Sequence, residues 1–252
     1  MAVRILYKYL DAEGGAAMLY NSNLMFTNST QLNDPFDCHP SLIDYSNAPP
    51  LIAAPWDRKT IENLQVNRAE NTRNNTWICS LSKTYKSLLM WSYYNKHQGI
   101  CVGIDMKKVK PYVDRVIGTF IGCPELEVKY KNIVKKPNFY KDKEDYFTYQ
   151  FVTKAKEWEH EQEVRLISLN PSPRFMKLMP WQDGEKGPID WKDVRAFVDL
   201  GGECFHSIYL GVSIEKHKKK KIMEFAKKTN PNIKIYQMTT DPKAFKLKAE
   251  QI

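Results

Sequence analysis

The sequence predicts an α+β fold with a mixed, largely antiparallel central sheet and flanking helices. Short β-branched and aromatic runs interleave with helical patterns, and residues 112–134 read as a hairpin rather than a βαβ step. No internal repeat or low-complexity linker interrupts the 252 residues, which suits a single α+β domain spanning residues 1–252.

Residues 3–10 are rich in β-branched and aromatic side chains and read as an opening strand. Residues 11–20 give a short helix, with Gly14-Gly15 read as a turn, and residues 24–28 a second strand. The run Asn33-Asp34-Pro35-Phe36-Asp37 is a turn, because Asn and Asp bond their own backbone and Pro35 drives Asp34 out of the helical region. Four prolines make residues 40–56 an irregular loop, and residues 57–72 carry a helical pattern. Residues 76–82 alternate as a strand, 85–97 read as a helix, and the small apolar run 99–104 reads as a central strand. After the hairpin, with Gly122-Cys123-Pro124 as one connection, residues 142–158 suit a helix and 161–169 a strand. A β-α-β unit closes the chain: strand 208–211, a helix to Lys228 and strand 233–238.

Composition narrows the function classes. Hydrophobic residues at 42% and charged residues at 27% are ordinary for a globular chain. The apolar runs are too short to cross a bilayer and no apolar leader follows Met1, so the expectation is a cytoplasmic protein with no membrane partner. Five scattered cysteines without a C-x-x-C pair suit reduced thiols, and no set of ligands has zinc spacing, so no metal is expected. The net charge of +9 is concentrated in residues 213–229, where seven lysines face two glutamates. That run could touch a nucleic-acid backbone, although a solvated helix face is the plainer reading and few aromatics stand among the lysines to stack bases. The dinucleotide, P-loop, zincin and serine-hydrolase motifs are all missing.

Three polar motifs remain. Asn33, Asp34 and Asp37 could hold a ligand's hydroxyls or a cation, or could simply satisfy backbone donors of a tight turn. Ser80 and Ser82 share one strand face by period two, and Met90-Trp91-Ser92-Tyr93-Tyr94 follows on a helix. Trp91 there suits core packing, while a buried Tyr94 would need a partner for its hydroxyl. If residues from 161 onward are extended, Glu161, Glu163 and Arg165 lie on one face. Crowded carboxylates raise one another's pKa, and Arg165 acts in the opposite sense by keeping Glu163 ionised. A solvated edge with a weak ion pair is the alternative.

The order of these motifs resembles a bacterial and phage family known as a domain of unknown function. Its pattern runs Y-x-Y, F-N-D-P-F-D, S-x-S…M-W-S-x-Y…G-I-C-x-G and W-x-x-E-x-E-x-R. Here these stand as Tyr7-Lys8-Tyr9, residues 32–37 with Leu32 in place of Phe, residues 80–94 followed by 99–103, and residues 158–165. The chain also resembles ADP-ribosyltransferases, which place an Arg or His on the first strand, a Ser or Tyr on a middle strand and a catalytic Glu on a later one. Arg4 or Tyr7, Ser80-Leu81-Ser82 and Glu161-Gln162-Glu163 follow that order.

That resemblance implies an ADP-ribosyltransferase-like fold and an NAD-dependent ADP-ribosyltransferase or NAD glycohydrolase, in a toxin or phage-defence setting, acting on a nucleotide or macromolecular substrate. Glu163, Glu161 and Ser82 would be catalytic, with Glu163 holding the ribose hydroxyls and Ser82 orienting Glu163. Tyr7, Arg4, Ser80, Trp91, Tyr94, Asn33, Asp34, Asp37 and Arg165 would bind NAD, with Trp91 or Tyr94 stacking on nicotinamide. The alternatives are a non-catalytic module that binds nucleic acid or protein through the lysine-rich helix, and a hydrolase holding a divalent cation with Asp34, Asp37 and Glu163.

Overall fold

Strand β3 (Thr76–Ser82) sits at a fork in the sheet. One of its edges follows β8 (Glu163–Leu169) for its full length, from Thr76 opposite Leu169 to Ser82 opposite Glu163. Its other edge is shared: β2 (Asn23–Asn28) pairs at Trp77 and Ile78, and β1 (Ile5–Leu10) pairs at Ser82. A strand edge can be matched by two strands only if they diverge, and between those two pairings the ladder leaves a gap. We describe this protein from a computed structural model covering residues 4–50, 56–116, 125–169, 177–180 and 194–252.

From the fork, β1 leads through β4 (Ile100–Asp105) and β11 (Phe205–Leu210) to β12 (Lys234–Thr240) and β13 (Leu247–Gln251). A second arm runs from β2 to β10 (Val194–Asp199) and β9 (Lys177–Pro180), and β5 (Glu125–Glu127) pairs with β8. Apart from β11–β12, the pairs in this sheet are antiparallel among the described residues. The expected α+β class with a mixed, largely antiparallel sheet is what the chain forms.

β4 is buried at every residue, between β1 and β11, as its run of small and apolar side chains requires. One face of the sheet meets α1 (Ala12–Asn21), α4 (Met106–Val116) and α6 (Lys216–Thr229), and joins Leu6, Leu19, Val102, Ile104, Ile208 and Ile222 in the main core. The opposite face carries Tyr9, Cys101 and Tyr209, covered by Met90 and Trp91 of α3 (Leu88–Asn95). Asp11, Asp57 and Ser87 cap α1, α2 (Arg58–Asn74) and α3 by accepting backbone N–H bonds. Cys38, Cys79, Cys101 and Cys204 are buried free thiols. No helix among the described residues is long and apolar enough to cross a membrane.

Several expectations are corrected. The 112–134 hairpin does not form: the chain is helical to Val116, β5 pairs with β8, and β6 (Lys129–Lys131) pairs in parallel with β7 (Thr153–Ala155). Met106, Val109 and Val113 supply the buried helical stripe that Pro111 and the neighbouring β-formers obscure. The connection at residues 122–124 lies outside the described residues. The helix expected over 142–158 is only α5 (Tyr146–Val152), capped by Asp145; the chain then turns extended in β7 and 3-10 helical over Lys156–Glu161. β13 follows the strand expected to close the chain. Gly14 and Gly15 are inside α1 rather than in a turn, and a Cβ on Gly15 would lie 2.4 Å from Ile100 Cδ1.

Gly99 joins α3 to β4 beneath the backbone of β1. A Cβ there would stand 2.1 Å from the Leu10 carbonyl oxygen and 2.9 Å from Asp11 Cα, and neither backbone can move alone. Gly99→Ala is expected to lower stability by about 1–3 kcal/mol, the usual cost of overpacking. The urea midpoint reads this; an unchanged midpoint means the β1–α3 approach is looser than described.

Candidate functional site

The fork aligns three side chains from distant parts of the sequence. Tyr7 lies opposite Ser82 and Ser82 opposite Glu163, so the three stand abreast on β1, β3 and β8 and face the same side of the sheet. Beside them opens a cavity of about 370 Å³, lined also by Ser80, Tyr94, Asn33, Asp37 and Glu161. Eight of the twelve residues expected to form a site thus border one hollow.

Its acidic wall is a buried ion cluster. Arg165 is 0% exposed. Its Nη1 and Nη2 donate to the two oxygens of Asp37 at 2.8 and 2.6 Å. Its Nε and Nη2 donate to Glu163 at 2.9 and 3.0 Å, and Nη1 also reaches the Phe151 carbonyl at 2.8 Å. Lys154 Nζ donates to Glu161 at 2.6 Å and to Glu163 at 3.3 Å, lies 3.6 Å from Asp37, and sits over the Trp158 ring. Three carboxylates against two cations leave a formal charge of −1. Burial pushes Glu163 up, but Arg165 and Lys154 outweigh it and hold the carboxyl at about 2. Burial pulls Lys154 down, but Glu163, Asp37 and Glu161 bring it up to about 12.

The neighbouring residues sort by what they touch. Tyr94 donates its hydroxyl to Glu161 Oε1 at 2.6 Å, and burial together with that carboxylate raises its pKa. Glu161 does not extend β8. It ends the 3-10 turn, and Gln162 with a left-handed φ of 46° returns the chain, so the two glutamates converge on Lys154 without sharing a strand face. Ser82 is not bonded to the Glu163 carboxylate: its hydroxyl donates to the Glu161 carbonyl at 2.6 Å and so holds that turn. Ser80 is the serine bonded to Glu163.

Four expected residues fall outside the cavity lining. Arg4 is exposed, pairs with Glu125 at 2.8 Å and does not line the cavity. Trp91 is fully buried, donates Nε1 to the Tyr85 carbonyl at 2.8 Å and meets Tyr9 edge-on, so it is core and cannot stack on a ligand. Asp34 accepts from the Phe36 N–H at 2.9 Å within its turn. Arg165 stands behind Asp37 and Glu163 as their support. Of the three carboxylates in the divalent-cation reading, Asp37 and Glu163 are already paired with Arg165 and Lys154.

Two lysines escaped the sequence reading. Lys154 was hidden inside an apparent helix. Lys8 donates to the Ser80 carbonyl at 2.9 Å, filling the gap where β1 and β2 diverge from β3. An ammonium has three donors, and with one bond found for Lys8 among the described residues, two are left for a ligand in the cavity that it also lines. The lysine-rich helix is α6, where Lys218 closes on Glu13 at 2.9 Å and on Glu215 at 3.3 Å, and Lys219 on Gln237 at 2.9 Å.

Replacing Arg165 by Leu leaves Asp37 and Glu163 buried against one lysine, and is expected to cost about 3–5 kcal/mol in a urea titration. The acid limb should follow Glu163. Its pKa falls from 4.5 in the unfolded chain to about 2 in the folded one, so the stability it contributes is complete above pH 4.5 and is lost as pH falls through 2. A stability profile flat from pH 5 to 2 contradicts this. No protein-family model, curated protein or solved structure matches the chain.

Proposed function

We propose that the protein is an NAD-using enzyme, an ADP-ribosyltransferase or NAD glycohydrolase. The observation that carries the reading is the row Tyr7–Ser82–Glu163 bordering a cavity with charge of opposite sign on its two sides. Lys8 comes from β1 on one edge of β3 and Glu163 from β8 on the other, where Glu161 of the 3-10 turn and Asp37 of the turn after β2 join it around Lys154 and Arg165. NAD carries a cationic nicotinamide ring on one ribose and an anionic pyrophosphate beyond it. The acidic side suits the ring and Lys8 suits a phosphate.

In the reaction the bond from ribose C1′ to the nicotinamide nitrogen breaks, and its electron pair neutralises the ring. C1′ acquires oxocarbenium character, and water or an acceptor nucleophile forms the new bond and loses a proton. Ionised carboxylates, fixed before the substrate arrives, stabilise that positive charge without reorganising. Glu161 is the carboxylate with acceptor capacity to spare: Tyr94 and Lys154 bond one oxygen each. Glu163 accepts from Arg165 on both oxygens, from Lys154 and from Ser80, so it acts as a fixed charge that sets the field at C1′. Tyr7 and Tyr94 offer ring faces to nicotinamide.

The alternative of a nucleic-acid or protein-binding module rests on the lysines of α6, several of which already close on the protein's own groups. Nicotinamide release from NAD, with and without cell lysate, tests the first reading. Wild type is expected to release nicotinamide, and Glu161→Gln and Glu163→Gln to lower the rate at least a hundredfold, as loss of a preorganised charge does. If NAD is neither consumed nor transferred to any lysate component, and salt-sensitive binding is lost when Lys218 to Lys221 are neutralised, the binding module replaces the enzyme.

A further inference from the structure

A second depression, of about 420 Å³, adjoins the first across a shared wall of Asn33 and Tyr94. Its other borders are Tyr93, Glu157, Trp158 and His160. None of these four takes part in the steps above. The surface is aromatic: Tyr93, 67% exposed, meets the His160 ring edge-on at 5.9 Å, and Trp158 lies 6.1 Å from the same ring.

The polar groups are mostly acceptors. His160 Nδ1 bonds the Glu157 carbonyl at 2.9 Å, and a carbonyl only accepts, so Nδ1 carries the proton and Nε2 of the neutral ring is an acceptor. That Nε2 is shielded from solvent and has no hydrogen-bond partner among the described residues. The Glu157 carboxylate is a further acceptor, and the Asn33 amide offers both roles. Flat rings around acceptors suit a planar ligand that carries N–H donors. Lys154 Nζ already lies 4.8 Å from the Trp158 ring centre, which disfavours a second cation such as a guanidinium there and leaves a neutral ring as the fitting occupant.

We propose that this depression is a nucleobase subsite that takes an amino-bearing base such as adenine against Trp158 and Tyr93, with the Glu157 carboxylate and the Asn33 carbonyl accepting from its N–H groups. Through Tyr94 it communicates with the cavity that holds the ribose, so its role rests on the NAD-using reading, but its occupancy is measured without turnover. Two sources supply the base: the adenine of the same dinucleotide, or a separate nucleotide that acts as acceptor.

Calorimetric titration of the full chain with adenosine, and with inosine, in which an oxygen replaces the amino group, tests the subsite. Adenosine is expected to bind at least tenfold more tightly than inosine. Tyr93→Ala and Trp158→Leu are each expected to weaken adenosine by about tenfold, the usual effect of losing one stacking face, and His160→Leu to weaken it less. Tyr93 is exposed enough that its replacement leaves the fold intact, so the result does not depend on Trp158→Leu folding. Saturation with NAD separates the sources: exclusion of adenosine assigns the base to the dinucleotide, and simultaneous binding assigns it to a second nucleotide. Absence of adenosine binding, equal affinity for inosine, indifference to both aromatic replacements, or preference for N-acetylarginine amide overturns the proposal. Adenosine binding through Tyr93 in a protein that releases no nicotinamide overturns the NAD-using reading and keeps the subsite.

Discussion

One buried guanidinium joins the parts of this molecule that matter most for its site. Arg165 bonds Asp37 from the turn after β2, Glu163 from its own strand and the last turn of α5 through Phe151. Taking such a charge out of water costs several kcal/mol, and the cost is offset only when every donor finds an acceptor in good geometry. The planar fork of arginine meets that demand bidentately against two carboxylates, which the compact ammonium of lysine cannot. The same contacts fix where the Asn33–Asp37 turn can lie, and with it one wall of the cavity.

The fork at β3 gives the arrangement its geometry. Two strands that meet the same edge of a third must separate, and the opening needs something to satisfy the backbone left between them. Lys8 meets that need with a long stem and a charged head, so one side chain repairs the ladder and lines the hollow. The sheet therefore does not merely carry the site. Its divergence creates the space, and the repair supplies one of the charges.

Strands were legible where alternation or unbroken apolarity ran for five or more residues, as in β1, β3, β4 and β8, and so was the central place of β4. The convergence of Tyr7, Ser82 and Glu163 was expected only through the resemblance to ADP-ribosyltransferases, from the order of the motifs along the chain. Which atom bonds which was not. Period two placed Glu161 beside Glu163, but a single residue at positive φ removed Glu161 from the strand and brought its carboxylate back by another path. Lys154 was invisible because the short stretch Phe151-Val152-Thr153-Lys154-Ala155 reads equally as helix or strand, and only pairing with β6 decides between them. Trp91 was read in two ways: its helical spacing suited core packing, as the fold bears out, and only the resemblance made it a ring for nicotinamide; its indole N–H bonds the Tyr85 carbonyl in the loop before α3.

The placement of charge on either side of β3 has a directional consequence. A ligand with no separation of charge gains nothing from lying one way rather than the other along the hollow. One that is positive at one end and negative further along is sorted on arrival, because the reversed pose sets like against like at both walls. The scaffold can thus impose polarity on an elongated guest before any close contact with Tyr94 or Glu161 forms, and a neutral analogue of the same shape would lose its orientation before it lost its fit.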